Sequence, residues 1–204
     1  EISLGLVGSE MCIRDRSIKG AEISTANFTD KTTKNNLDLV KWCENAYKNG
    51  WGYVYGGYGQ ICTEQYLDQQ ASLFPGNNEA GGEMRTVGEK WLGKRVVDCI
   101  GLIKSYAWYN ADSGQITVGS NGFTDCGANT IWNNVKEGGA ISTMPDIPGL
   151  AVWMDGHIGV YVGNGEVIEA QGTAYGVVKT QLKNRGWTKW MKIPNIKYVE
   201  VKSK

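Results

Sequence analysis

The chain has 204 residues, 41% of them hydrophobic and 21% charged, with 21 basic side chains against 21 acidic ones. That length suits one domain or two small ones and buries roughly 70% of its extended surface, so a core needs no metal or disulfide. The balanced charge argues against a nucleic-acid or acidic-membrane partner, and no apolar run reaches the ~18 residues of a bilayer span. Five cysteines without a CxxC pair, beside one histidine, argue against a structural zinc site.

Residues 1–16, which include "GLVGSEMCIRDR", show neither helical nor strand periodicity. They resemble the translation of a sequencing adapter, in which "MCIRD" reads back as ATG TGT ATA AGA GAC. They are set aside from the fold as an expression scar would be. On that reading Cys12 has no structural role. Met84 is the next methionine after Met11, so the expectation is that the native start and any leader lie upstream.

Residues 17–34 are polar and aperiodic and read as a linker. From Asn35, "NNLDLVKWCENAYKNG" predicts a helix with Leu37, Val40, Cys43 (or Trp42) and Tyr47 on one face, stopping at Gly50. "TEQYLDQQASLFPG" predicts a second helix ended by Pro75, and "GNNEAGGEMRTVGEKWLG" a loop punctuated by glycine. Asp98 opens a third helix with Cys99, Leu102, Ile103, Tyr106 and Ala107 on one face, and "ANTIWNNVKEGG" reads as a fourth. After Pro148, "GLAVWM", "HIGVYVG" and "EVIEAQG" are short β-branched or aromatic runs separated by small turns, a meander pattern. Helices first and strands later predict an α+β domain over 35–198, with helices packed on an antiparallel sheet and 199–204 as a tail.

Asp98 is suited to cap its helix, which leaves Cys99 in the first turn, where free N–H groups and the helix dipole favour an anion. That setting can bring a thiol from ~8.5 into the ~3.5–7.5 range. A cysteine there also packs well as a small hydrophobe, and the residues alone leave both readings open. His157 begins the run "HIGVYVGNGEVIEA" and is the natural base for a thiol nucleophile, although a lone histidine is often structural. Glu169, flanked by Val167, Ile168 and Ala170, is either an outward surface residue or a group that holds the imidazole.

Three motifs carry a family resemblance. "VDCIGLI", "GHIGVYVGNGEVIEA" and "GYVYGG" are similar, in chain order, to the motifs of the NlpC family of papain-like cell-wall cysteine peptidases, and "ISTMPDIPGLAVW" fits the segment before the histidine strand. The resemblance implies Cys99 as nucleophile, His157 as base, Glu169 at the third, polar position and Tyr53 as a contact to the thiol. Asp98 adjoins the thiol. Ile100 replaces the family's serine, Glu169 replaces its commoner histidine, and residues 58–98 form a long insertion that is expected to wall the cleft and tune substrate preference.

The implied activity is cysteine-peptidase hydrolysis of peptidoglycan stem peptides, most often at the γ-D-glutamyl bond to diaminopimelate or lysine. It implies no metal or cofactor, no nucleic acid, no membrane insertion, and a monomer acting at the cell wall after export or phage delivery. Alternatives are an N-acetylmuramoyl-L-alanine amidase of the CHAP type, a catalytically silent wall-binding module, and an acyltransferase of the same superfamily. Trp187 and Trp190 flank a cleft or simply pack, with packing preferred. Cys43, Cys62 and Cys126 are expected as free structural thiols, with a Cys43–Cys62 bridge as the alternative.

The hairpin between the last two motifs sets a geometric condition. A strict two-residue Asn164-Gly165 turn pairs residue 160 with 169 and puts His157 and Glu169 on opposite faces. A longer loop or a bulge pairs 159 with 169 and puts both on one face, with Gln171 opposite His157 as the alternative third residue.

Overall fold

Asn35 starts the first helix, α1 (Asn36–Lys48), by accepting the Asp38 N–H on its side chain at 2.9 Å. This is a computed structural model that describes residues 23–78 and 83–199; the adapter-like residues 1–16 and nearly all of the tail lie outside them. Helix α1 buries Leu39, Trp42, Cys43 and Ala46, while Tyr47 is 41% exposed. The core stripe is therefore turned away from the expected Leu37–Val40–Tyr47 face. Both stripes have helical spacing, and the one that carries Trp42 removes more apolar surface from water. Asp38 is drawn inside because the N–H groups of Thr29 and Asp30 donate to its carboxylate, at 2.8 and 2.9 Å. Residues 23–34, polar in sequence, are thereby fastened to α1, and Phe28 packs against Trp42 and Tyr106.

Three short strands follow the helix. β1 (Gly52–Tyr53) and β2 (Tyr58–Ile61) flank β3 (Arg95–Val97), parallel on the β1 side and antiparallel on the β2 side. The insertion between β2 and β3 holds helix α2 (Glu64–Leu73), capped by Thr63, then α3 (Pro75–Asn78), α4 (Glu83–Val87) and a 3-10 turn over Gly88–Trp91. Among its described residues, the expected loop over 76–93 is thus largely wound. Arg85 holds it in place by pairing with Glu64 at 2.7 Å, Asp68 at 3.0 Å and Glu89 at 3.1 Å.

Helix α5 (Gly101–Trp108) is buried on every side. A small hairpin of β4 (Tyr109–Asn110) and β5 (Gln115–Ile116) follows, then α6 (Ala128–Asn133). The end of the fourth predicted helix is instead β6 (Gly138–Ala140), where two glycines let the chain leave helical geometry.

β7 (Ala151–Met154), β8 (His157–Gly163), β9 (Glu166–Gly172) and β10 (Gly176–Gln181) form the expected meander, extended by one strand. With β11 (Lys189–Met191) they build an antiparallel sheet in the order β10-β9-β8-β7-β11-β6. Helix α1 packs against β8, β9 and β10 of this sheet and α5 packs against α1, in one core that holds Leu39, Trp42, Ile103, Tyr106, Val160 and Ile168. The architecture is the α+β arrangement of helices on an antiparallel sheet. Among the described residues no helix is long and apolar enough to cross a membrane.

The β8–β9 hairpin meets its condition by a bulge. Asn164 and Gly165 have φ of 54° and 72°, a two-residue type I′ turn closed by the Gly163–Glu166 pair. The register then slips at Val162, so that Tyr161 faces Val167 and Val160 faces Ile168. Continued along the strands, that register sets Gly159 against Glu169 and His157 against Gln171. His157 and Glu169 share a face.

Candidate active site

Strand β3 delivers Asp98 and Cys99 to the start of α5. The Asp98 carbonyl accepts the Leu102 N–H at 3.1 Å, and its Oδ1 accepts the Gly101 N–H at 2.6 Å. Helical hydrogen bonding therefore begins at Asp98, although regular helix geometry starts at Gly101. The other oxygen, Oδ2, accepts the Gly56 N–H at 3.0 Å. Asp98 thus pins the 53–57 turn to the thiol's helix, and its two oxygens are engaged by backbone. Burial raises its carboxyl above the usual range, opposed by the Gly101 N–H, the Lys104 charge and the Gly56 N–H. Gly101 is required there: a Cβ would sit 1.8 Å from the Gly57 carbonyl oxygen.

Cys99 opens onto a cleft of about 590 Å³. Its lining comes from the 53–58 turn with Tyr53, Phe74 of the insertion, the 125–130 segment, and Gly156 and His157. The insertion does line this cleft, through Phe74, whose ring meets Tyr55 edge-on at 5.1 Å. Burial pushes the Cys99 thiol up to about 12, and the Asp98 charge adds to it; the N–H groups of Ile100, Ile158 and Cys99 oppose the rise. The expected lowering at a helix start is overturned, because desolvation and the adjacent carboxylate outweigh those N–H groups. Tyr53 lines the same cleft, its phenol raised by burial and then by the charges of Cys99 and Asp98.

His157 lies at the start of β8, where Cys99 Sγ is 4.0 Å from the neighbouring Gly156 carbonyl oxygen. Its Nε2 is 2.7 Å from Glu169 Oε2. The imidazole is bonded to Glu169 rather than to Gln171, and Nδ1 is the ring nitrogen left for proton exchange. Glu169 is fully buried, against the surface alternative, and three side chains serve its carboxylate. Besides His157, Thr180 Oγ1 donates to Oε1 at 2.7 Å, and Arg185 donates from Nε to Oε1 at 2.9 Å and from Nη2 to Oε2 at 2.8 Å. Burial pushes the carboxyl upward, but the hydrogen bonds from His157, Arg185 and Thr180 outweigh it and hold the group below 4.5.

Sequence reasoning missed Arg185 and Thr180. Thr180 is the diagonal cross-strand neighbour of Glu169, since Val178 sits opposite that residue. A buried carboxylate calls for a cation, and Arg185 stands in the same "RGW" stretch as Trp187. Trp187 packs, but on the imidazole itself: the rings are 5.4 Å apart and 12° from parallel. Trp190 instead donates to Thr143 Oγ1 at 3.1 Å on β11. Cys43, Cys62, Cys99 and Cys126 are free, so the Cys43–Cys62 bridge is not formed, and Cys126 is half-buried in the cleft wall. Among the described residues no group of three His, Cys, Asp or Glu side chains could hold a metal ion.

Gly159 makes room for this arrangement. A Cβ there would lie 2.7 Å from Val167 Cγ1, 3.2 Å from Trp187 Cη2 and 3.3 Å from Glu169 Cβ. Gly159→Ala should therefore cost about 1–3 kcal/mol through overpacking, seen as a lower thermal midpoint. An unchanged midpoint would show that Trp187 and Val167 yield freely.

The NlpC/P60 family model matches residues 79–195, more than half of the chain, with Cys99, His157 and Glu169 inside the span. The chain belongs to the NlpC/P60 family. Solved structures similar to it include the NlpC/p60 domain of the peptidoglycan hydrolase SagA, 14% identical with a TM-score of 0.41 over 78% of this chain and 99% of that one. The peptidoglycan hydrolase RipB from Mycobacterium tuberculosis is 17% identical, with a TM-score of 0.44 over 79% of this chain and 66% of that one. The P60 domain of an antigen from M. avium subspecies paratuberculosis is 19% identical, with a TM-score of 0.41 over 79% and 97%. No curated protein matches the chain. The NlpC/P60 match begins within the insertion, so α1, β1 and β2, with the Tyr53 turn, precede it.

Proposed function

We propose that this NlpC/P60 protein is a cysteine hydrolase of peptidoglycan stem peptides, cutting the γ-D-glutamyl bond to diaminopimelate or lysine. One observation carries the reading: the only histidine in the chain lines the Cys99 cleft and is bonded at 2.7 Å to a fully buried carboxylate. A structural histidine has no need of a cleft, and a surface glutamate has no need of burial.

In the proposed reaction Cys99 Sγ attacks the scissile carbonyl carbon while His157 Nδ1 takes the thiol proton. The oxyanion is met by the Cys99 N–H at the helix start. On collapse, the C–N bond breaks and His157 returns the proton to the leaving amine. A water, deprotonated by the same nitrogen, then releases the thioester as a carboxylate and restores the thiol. Glu169 keeps the imidazole oriented throughout, and Tyr53 packs beside the sulfur.

The acidic third residue also suits the CHAP-type amidase reading, and product analysis separates the two. Purified peptidoglycan digested by the full chain should yield a new free amine on the diaminopimelate or lysine residue, with the lactyl–alanine amide intact, read by mass spectrometry. Freed lactyl ends would instead mean amidase chemistry, and undigested wall would sink the hydrolase reading.

A further inference from the structure

We propose that Arg185 is a positioning residue that sets the tautomer of His157 through Glu169. The catalytic consequence rests on the thiol-hydrolase reading above; the tautomer itself does not.

Glu169 is fully buried, and a carboxylate left alone there would take up a proton. A protonated Oε2 could donate to His157 Nε2 and leave the imidazole proton on Nδ1, the nitrogen that has to accept from the thiol. Arg185 removes that option. A guanidinium is always charged and has no acceptor, so its fork, 2.9 Å from Oε1 and 2.8 Å from Oε2, makes both oxygens accept. Thr180 fills Oε1 at 2.7 Å. The site left on Oε2 can then only accept, and at 2.7 Å it accepts from Nε2–H. Nδ1 keeps its lone pair.

The same guanidinium steadies the ring plane. It lies 5.8 Å over Trp187, whose indole is stacked on the imidazole 5.4 Å away. Arg185 directly follows the 3-10 turn Leu182–Asn184, which is tied to the β8–β9 turn by the Leu182 N–H donating to the Gly165 carbonyl at 2.8 Å. The hairpin that aligns His157 with Glu169 thereby also delivers the arginine.

His157 is the only imidazole in the chain, so the full, tag-free protein gives one pair of imidazole nitrogen signals in 15N NMR. The wild type should show a single Nε2–H tautomer with a slowly exchanging proton. Arg185→Met should mix the tautomers and lose that proton to exchange. Arg185→Lys, which keeps the charge but not the fork, should show a weakened, faster-exchanging Nε2–H. In a Glu169→Gln background, adding Arg185→Met should change neither. Where the wild type digests wall, Arg185→Met should lower kcat about 10²-fold and move KM less than about 3-fold. A wild-type tautomer and exchange rate in Arg185→Met overturns the proposal, and so does a wild-type signal in Arg185→Lys should the methionine variant not fold. A wild type that digests nothing overturns the hydrolase reading instead, with the tautomer result still deciding the role of Arg185.

Discussion

Cys99→Ala, His157→Ala and the double substitution should all leave the same residual hydrolysis, a loss on the order of 10⁴-fold or more. The equality follows from the thiol's surroundings. Burial, then the Asp98 charge, pushes Cys99 up to about 12. A thiol raised this far is almost wholly protonated at pH 7. Attack therefore requires that a base take the proton in the same step, and the chain offers one imidazole for it. Nucleophile and base act as a unit, so the second removal takes away nothing further. Initial rates of amine release from purified muropeptides would show this. Iodoacetamide labelling read at Cys99 by peptide mapping supplies a second measure: His157→Ala should lose labelling at pH 7 and regain it only as the pH climbs. Retention of more than about a tenth of the wild-type rate in His157→Ala would mean that another group serves as base.

How much of this site could be read from the chain differs from residue to residue. The cysteine run names its residue and its helix, the histidine run its residue and its strand, and Asn164-Gly165 marks the hairpin. The bulge at Val162 could be stated only as a condition, because an extra residue in a strand leaves the local pattern of β-branched side chains unchanged. Arg185 and Thr180 were hidden for another reason. Thr180 reaches Glu169 across the β9–β10 pairing and Arg185 from the loop after β10, arrangements that exist only after folding, and neither adjoins a motif. β1, β2 and β3 run two to four residues, too short to show alternation, and the insertion separates the last from its partners. The phase of α1 was ambiguous because two apolar stripes share it, and the bulk of Trp42 decides between them. The direction of the thiol shift depended on a competition. A helix start is visible in sequence; the depth at which it is buried is not.

Removing the carboxylate should show in stability as clearly as in rate. Glu169→Ala takes away one partner of a buried ion pair, which generally costs about 3–5 kcal/mol. The Arg185 side chain is 25% exposed and can turn toward water, which places the expected loss near the lower end, about 3 kcal/mol. For a domain of this size that lowers the thermal midpoint by about 6–12 °C. Glu169→Gln keeps the shape and one acceptor oxygen, so it should lose less. The pH dependence has a definite sign. The folded protein holds this carboxyl below its usual 4.5: burial opposes ionisation, but His157, Arg185 and Thr180 favour it more. Folding therefore favours the ionised form, and its contribution is complete above about 4.5 and lost as the pH falls through the folded value. Urea unfolding of wild type and Glu169→Ala should show a gap that is widest near neutral pH and shrinks below about 4.5. A gap that instead widened in acid would mean that the buried carboxyl is neutral in the folded protein, and the orientation of His157 would then need another source than Glu169.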